Sequence, residues 1–267
     1  MKRRWSAGYT VLEVMIVLAV STGLFFMIYV FFVGRTAQTE FDQSVRDLEA
    51  RLIQISGDVN SGFYNNGFQC SGDSAGSPVI VSSATPVNGG TNNNCIFMGK
   101  VAAFSISGGT NILSLVGRQY VAGIGSSSVV STIAEAKPVL VQTNYENYDF
   151  LYQLKPNKIL DISNNANTYG ALAFATQLSG GVGSSNPLTG GRTVLLYGVR
   201  NSLLTNNTPN GIASLINGNP SSLVALSGGA RMCLIGGNGK IAQITIGASG
   251  NQLGTVVSLD TGATNGC

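Results

Sequence analysis

Residues 14–33 form a run of 20 residues without a charge, VMIVLAVSTGLFFMIYVFFV. As an α-helix rising about 1.5 Å per residue, the run would measure about 30 Å, the thickness of a bilayer's hydrocarbon core. A secretory signal peptide has a shorter apolar core, of about 7–15 residues, followed by small residues at the cut. Here Phe25, Phe26, Tyr29, Phe31 and Phe32 fill the stretch where such a cut would lie. Lys2, Arg3 and Arg4 precede the run and only Arg35 directly follows it. The excess of positive charge before the run keeps the N-terminus on the cytoplasmic side and sends the C-terminal part across the membrane.

Beyond Gly34 the pattern changes. Apolar residues recur at Phe41, Val45, Leu48, Leu52, Ile55 and Val59, in alternating steps of four and three. That period gives a helix one apolar face, with Gln, Asp, Arg and Glu on the others. Gly57 with Asp58, then Asn60, Ser61 and Gly62, supply stop signals. One helix over residues 9–59 is therefore expected, about 76 Å long. Its apolar stripe suits a homodimeric coiled-coil seam, and equally suits packing on the chain's own C-terminal part. Glu13 is the single carboxylate at the entrance of the apolar run. A charge at membrane depth is costly without a partner, and cheap only if it sits at headgroup level.

Residues 60–267 read differently. Short β-branched runs alternate with Gly, Asn and Ser, as in an antiparallel sheet domain. Strands are expected at 78–81, 96–107, 112–122, 139–143, 150–154, 169–177, 192–199, 231–235, 240–246 and 252–259. Hairpin turns are expected at Ser107-Gly108-Gly109-Thr110 and Gly236-Gly237-Asn238-Gly239. Residues 88–94, 180–186 and 201–210 read as long exposed loops or disorder. The fold class is thus α+β, a long N-terminal helix followed by a β-rich head.

The composition excludes a good deal of chemistry. The chain has no His, so no imidazole base, triad or His-ligated metal is possible. Only 10% of residues are charged, against roughly 25% in ordinary globular proteins, and the six carboxylates of the head form no acid/base motif. Glu146 and Asp149, with Tyr145 and Tyr148, suit a polar surface site or a loop entering a strand at Phe150. Gly-rich stretches lack the Lys-Ser/Thr sequel of a phosphate-binding loop. Neither an enzyme nor a cofactor nor a metal is expected. The head carries nine basic and six acidic residues, which supports nucleic-acid contact only weakly. Cys70, Cys95, Cys233 and Cys267 are not spaced as zinc or redox pairs. In an exported domain an even count reads as two disulfides with three possible connectivities. Pairing of neighbours, Cys70 with Cys95 and Cys233 with Cys267, closes the shortest loops.

The stretch Gly8-Tyr9-Thr10-Val11-Leu12-Glu13, behind a basic leader and ahead of the apolar run, resembles the cleavage and methylation signal of type IV prepilins and pseudopilins. The family pattern places Gly, an aromatic residue, Thr, two aliphatics and Glu at these positions. The resemblance implies a leader 1–8, an assembly helix 9–34, its amphipathic continuation 35–59 and an extracytoplasmic, disulfide-bonded head 60–267. It implies that a prepilin peptidase cuts between Gly8 and Tyr9 and that the amine of Tyr9 is methylated. It implies that Glu13 neutralises that amine on a neighbouring subunit. The partners implied are other pilin subunits, an assembly platform and the membrane, with the head ending in the periplasm or outside the cell. Many pilins close a C-terminal loop with a disulfide, which fits Cys233 and Cys267. The lack of Pro from Met27 to Phe31, together with the large head, points to a minor pilin or pseudopilin of a pilus or a type II secretion-like filament. The alternative is a filament-tip subunit whose head binds a surface or DNA.

Overall fold

A computed structural model describes residues 10–63, 68–71, 79–82, 95–105, 108–121, 128–142, 145–164, 167–178, 194–200, 208–217, 219–237, 239–247, 254–260 and 267. The fold is α+β. One helix, α1 (Val11–Ser61), runs unbroken for 51 residues. Thr10 is extended and caps it, accepting the Glu13 N–H on its side-chain oxygen at 3.3 Å, so the helix begins two residues later than its pattern suggested. Gly62 ends it in the left-handed conformation, φ 73°. The Phe63 N–H then closes on the Asp58 carbonyl at 2.7 Å, satisfying an acceptor that the last turn leaves open.

The head follows in chain order: β1 (Phe68–Ser71), β2 (Val79–Ser82), β3 (Cys95–Ser105), β4 (Gly109–Arg118), α2 (Ile133–Ala136), β5 (Val139–Leu140), β6 (Glu146–Asp149), β7 (Lys155–Asp161), β8 (Thr168–Tyr169), β9 (Ala171–Thr176), β10 (Val194–Val199), α3 (Pro209–Ile216), β11 (Leu223–Ala225), β12 (Ala230–Ile235), β13 (Ile241–Ile246) and β14 (Thr255–Asp260). The first large sheet has the order β11-β10-β9-β3-β4, with β5 and β6 both pairing with β4. The second has the order β14-β13-β12-β7-β8, and β1 pairs only with β2. All pairs are antiparallel. Both expected hairpins form, β3–β4 and β12–β13.

The apolar stripe of α1 is buried in the chain's own head. Phe41, Val45, Leu48, Leu52, Ile55 and Val59 are all buried. They join Ala102, Phe104, Leu172 and Phe174 of the first sheet and Met232, Leu234, Ile244 and Ile246 of the second in one core. The stripe is therefore occupied within the chain and is no coiled-coil seam. Strand alternation divides the first sheet between two cores. Val101, Ala103, Ala171 and Ala173 point the other way, to Ile212, Ala213 and Ile216 of α3.

Several expectations need correction. Residues 150–154 are not a strand. Phe150 and Leu154 are buried, but Leu151–Gln153 form a single 3-10 turn between β6 and β7, two strands the sequence reading missed. The segment 169–177 is two strands in different sheets, parted at Gly170, whose N–H donates to Val199 and whose carbonyl accepts from Phe104. Gly198 of β10 has no side chain because the Tyr169 ring occupies that space, which locks the two sheets together at this point. The end of the expected loop 201–210 starts α3, capped by Thr208 on the Gly211 N–H at 3.1 Å. Residues 88–94, 180–186 and 201–207 lie outside the described residues.

Truncating a buried leucine in this interface removes apolar contact and leaves a cavity. Leu52→Ala is expected to destabilise the folded chain by about 2–5 kcal/mol in chemical denaturation, whereas Ile53→Ala, on the exposed side of the same turn, changes stability by less than about 0.5 kcal/mol.

Candidate functional site

The N-terminal half of α1 packs on nothing among the described residues. Val11 is 79% exposed, Phe25 75% and Met27 74%. Apart from Glu13, residues 11–31 carry no charge and are mostly apolar on every face, and the helix is long and apolar enough to cross a membrane. Burying each such side chain is worth about 1.5–3 kcal/mol, so removing this surface from water is favourable. Thr22 returns its hydroxyl to the Leu18 carbonyl at 2.7 Å, so this polar side chain is satisfied within the helix. Glu13 is exposed in the first helical turn, where the positive end of the helix dipole favours a carboxylate. It has no ion-pair partner among the described residues. Gly8 and Tyr9 lie outside the described residues.

What aims this half is a second, polar stripe one residue from the apolar one. Ser44, Asp47, Arg51 and Asp58 recur in steps of three, four and seven, and each meets the head. The Ser44 hydroxyl donates to the Leu151 carbonyl at 2.8 Å. The Tyr148 hydroxyl donates to the Asp47 carboxylate. Arg51 pairs with the Glu146 carboxylate and also donates to the Gln54 amide oxygen at 2.7 Å. Lys100 of β3, its side chain only 2% exposed, reaches Asp58 at 2.8 Å and Glu146 at 3.3 Å. A buried ammonium is tolerated because two carboxylates surround it, and removing one partner of such a group is strongly destabilising. Glu146 and Tyr148 are thus neither a surface site nor a loop. They form the sheet edge that grips the helix. The sequence signal existed, as polar residues at helical spacing, but a charged face normally reads as solvated.

Cys233, buried in β12, is joined to Cys267 across a sequence separation of 34, with Cα atoms 5.5 Å apart. Cys95 is disulfide-bonded as well. The side chain of Cys70, the partner expected for it, lies outside the described residues. A groove of about 490 Å³ lies beside α2, lined in part by Ser131, Thr132, Gln177, Tyr197 and Ser221. None of the described residues that line it is charged. No family model, curated protein or solved structure matches the chain.

Burial, followed by the hydrogen bond to Asp47 and that residue's charge, holds the Tyr148 hydroxyl well above the ordinary tyrosine range, against an opposing effect of Arg51. The folded chain keeps this proton at a pH where the unfolded chain has released it. The stability it contributes is complete below the unfolded pKa of about 10 and is lost as pH rises beyond that. Tyr148→Phe is expected to cost about 1 kcal/mol at neutral pH, and its deficit against wild type to shrink above pH of about 10, as read from denaturation midpoints across the alkaline range.

Proposed function

We propose that the chain is a structural subunit, a minor pilin or pseudopilin, of a type IV pilus or type II secretion-like filament. The observation that carries this reading is the division of a single helix. Residues 41–59 are locked into the head by two stripes, while residues 11–31 are mostly apolar on every face and uncovered. A rigid rod presented in this way suits lateral packing against identical rods. The resemblance around Gly8, Tyr9 and Glu13 supplies the processing step and the polar contact of assembly. On this reading the N-terminus begins cytoplasmic, the helix holds the subunit in the membrane, and the head lies outside. Its partners are prepilin peptidase, an assembly platform and other subunits. The chain itself performs no catalysis and needs no cofactor.

Intact-mass measurement of the protein from its native membrane is expected to show loss of residues 1–8 and one added methyl group on Tyr9. A mature chain that still starts at Met1 would sink the proposal.

Glu13 separates the assembly reading from simple anchoring. If Glu13 only marks headgroup depth, Glu13→Gln changes nothing. If it pairs with the amine of Tyr9 on the next subunit, the variant leaves that amine poorly compensated in a low-dielectric filament core, a loss of about 3–5 kcal/mol. Cleavage precedes assembly and does not use this carboxylate. Normal processing and membrane abundance are therefore expected for Glu13→Gln, with much less subunit in sheared filaments. Wild-type incorporation would exclude the ion pair.

A further inference from the structure

The neck, where α1 leaves the head, carries a feature that assembly through the helix does not use. Between buried Phe150 and buried Leu154, the residues Leu151 and Tyr152 are 47% and 45% exposed. The backbone there is unusual: Tyr152 and Gln153 are both left-handed, with φ 52° and 57°. Two consecutive non-glycine residues in that region are unfavourable and persist only where their surroundings fix them. Three contacts do so. The Leu151 carbonyl accepts both the Ser44 hydroxyl at 2.8 Å and the Leu154 N–H at 3.1 Å. The Gln153 side chain fills the space that a side chain on Gly237 would take. The turn is thus held so that an apolar and an aromatic side chain face outward beside an available core.

Their level along the helix decides what they face. Tyr152 and Gln153 share a groove with Ala37, Glu40 and Phe41. Ala37 lies four residues beyond Val33, about 6 Å along the axis, and Phe41 about 12 Å. A bilayer of about 30 Å hydrocarbon and about 40–45 Å in total leaves roughly 5–8 Å for each headgroup layer. With residues 14–33 filling the hydrocarbon, the turn runs from the level of Ala37, beside Tyr152 and Gln153, up to that of Ser44, which holds Leu151 roughly 16 Å beyond Val33, so its lower edge meets the outer headgroup layer. We infer that Tyr152, with Leu151 above it, forms a foot by which the head rests on the lipid surface while the subunit is in the membrane. Tyrosine suits this depth, since its apolar ring and polar hydroxyl sit together at the headgroup level. Charges of both signs lie at the foot: Glu40 shares its groove, and Lys155 follows two residues past Gln153. The contact therefore does not depend on anionic lipid. The inference rests on the membrane-anchored reading of α1.

The test uses the full chain in phosphatidylcholine vesicles, with Trp5, the chain's only tryptophan, replaced by Phe. Single reporters are Tyr152→Trp and Leu151→Trp at the foot and Phe25→Trp in the span. Expected is loss of emission from both foot reporters by a nitroxide on the lipid headgroup, with shielding from iodide. The span reporter should lose emission to a nitroxide deep in the acyl chain. If Phe25→Trp responds to lipid while both foot reporters stay open to iodide and indifferent to lipid, the foot is wrong and the anchor stands. Shielding from iodide that disappears on dilution, without lipid quenching, would assign the foot to contact with a second copy and overturn the inference. If no reporter responds to lipid, the anchor fails and the foot with it.

Discussion

The molecule depends on two stripes, offset by one residue, along the same stretch of α1. The apolar stripe from Phe41 to Val59 supplies most of the adhesion, since its six side chains are buried against both sheets. Such adhesion is non-directional, and a smooth apolar face can slide or rotate. The polar stripe removes that freedom. Ser44, Asp47, Arg51 and Asp58 each meet a specific partner on the turn after β6, on β6 itself or on β3. A slip of one helical residue would part the buried Lys100 from Asp58 and Arg51 from Glu146, at a cost of several kcal/mol. The direction of the free N-terminal half is fixed through that requirement, because α1 has no interruption between its anchored and exposed parts.

Beneath the helix the two sheets must keep a fixed mutual position, or the stripes would meet no single surface. The crossing at Gly170 provides this. The chain leaves β8 in one sheet and enters β9 in the other within one residue, and the Tyr169 ring lies where Gly198 lacks a side chain. The bond from Cys233 to Cys267 fastens the C-terminal residue to β12, inside the second sheet.

The helix and its buried face were legible because the signal is local and periodic. Every stripe position from Phe41 to Val59 is set by spacing alone, whereas the helix runs through the expected stop at Gly57 and Asp58 and ends two residues past Val59, at Gly62, a residue that tolerates positive φ. The hairpins at Gly108 and Gly236 were legible for the same reason, as their turn residues sit between runs of β-branched ones. What failed was information that exists only in three dimensions. Phe150 and Leu154 are apolar and buried, yet the three residues between them turn outward because Ser44, more than a hundred positions earlier in the chain, holds the Leu151 carbonyl. The pattern 169–177 looked like one strand because nothing local records that Gly170 changes sheets. Glu146 and Lys100 gave no sign of their pairing, since one lies in a polar segment and the other inside an otherwise apolar strand. No local pattern could show that each neutralises the other against the helix.

The exposed half of α1 raises a different physical question, because apolarity does not select a position. Between lipid-facing helices the hydrophobic effect offers no net gain, so contacts must come from packing and from polar groups. Within residues 10–34 the only charge is Glu13. A single charge on an otherwise uniform rod has one consequence that a patterned surface does not: it can be satisfied at only one axial offset between neighbours. On the proposed assembly reading, the rise from subunit to subunit is set where that carboxylate meets the amine of the next chain. The long apolar flanks then contribute cohesion without competing for register. The head would add its own constraint through the polar stripe, which keeps every rod at the same angle to its globular part. One charge to set the offset and one buried ion network to set the angle would be enough to make identical subunits stack in a single way.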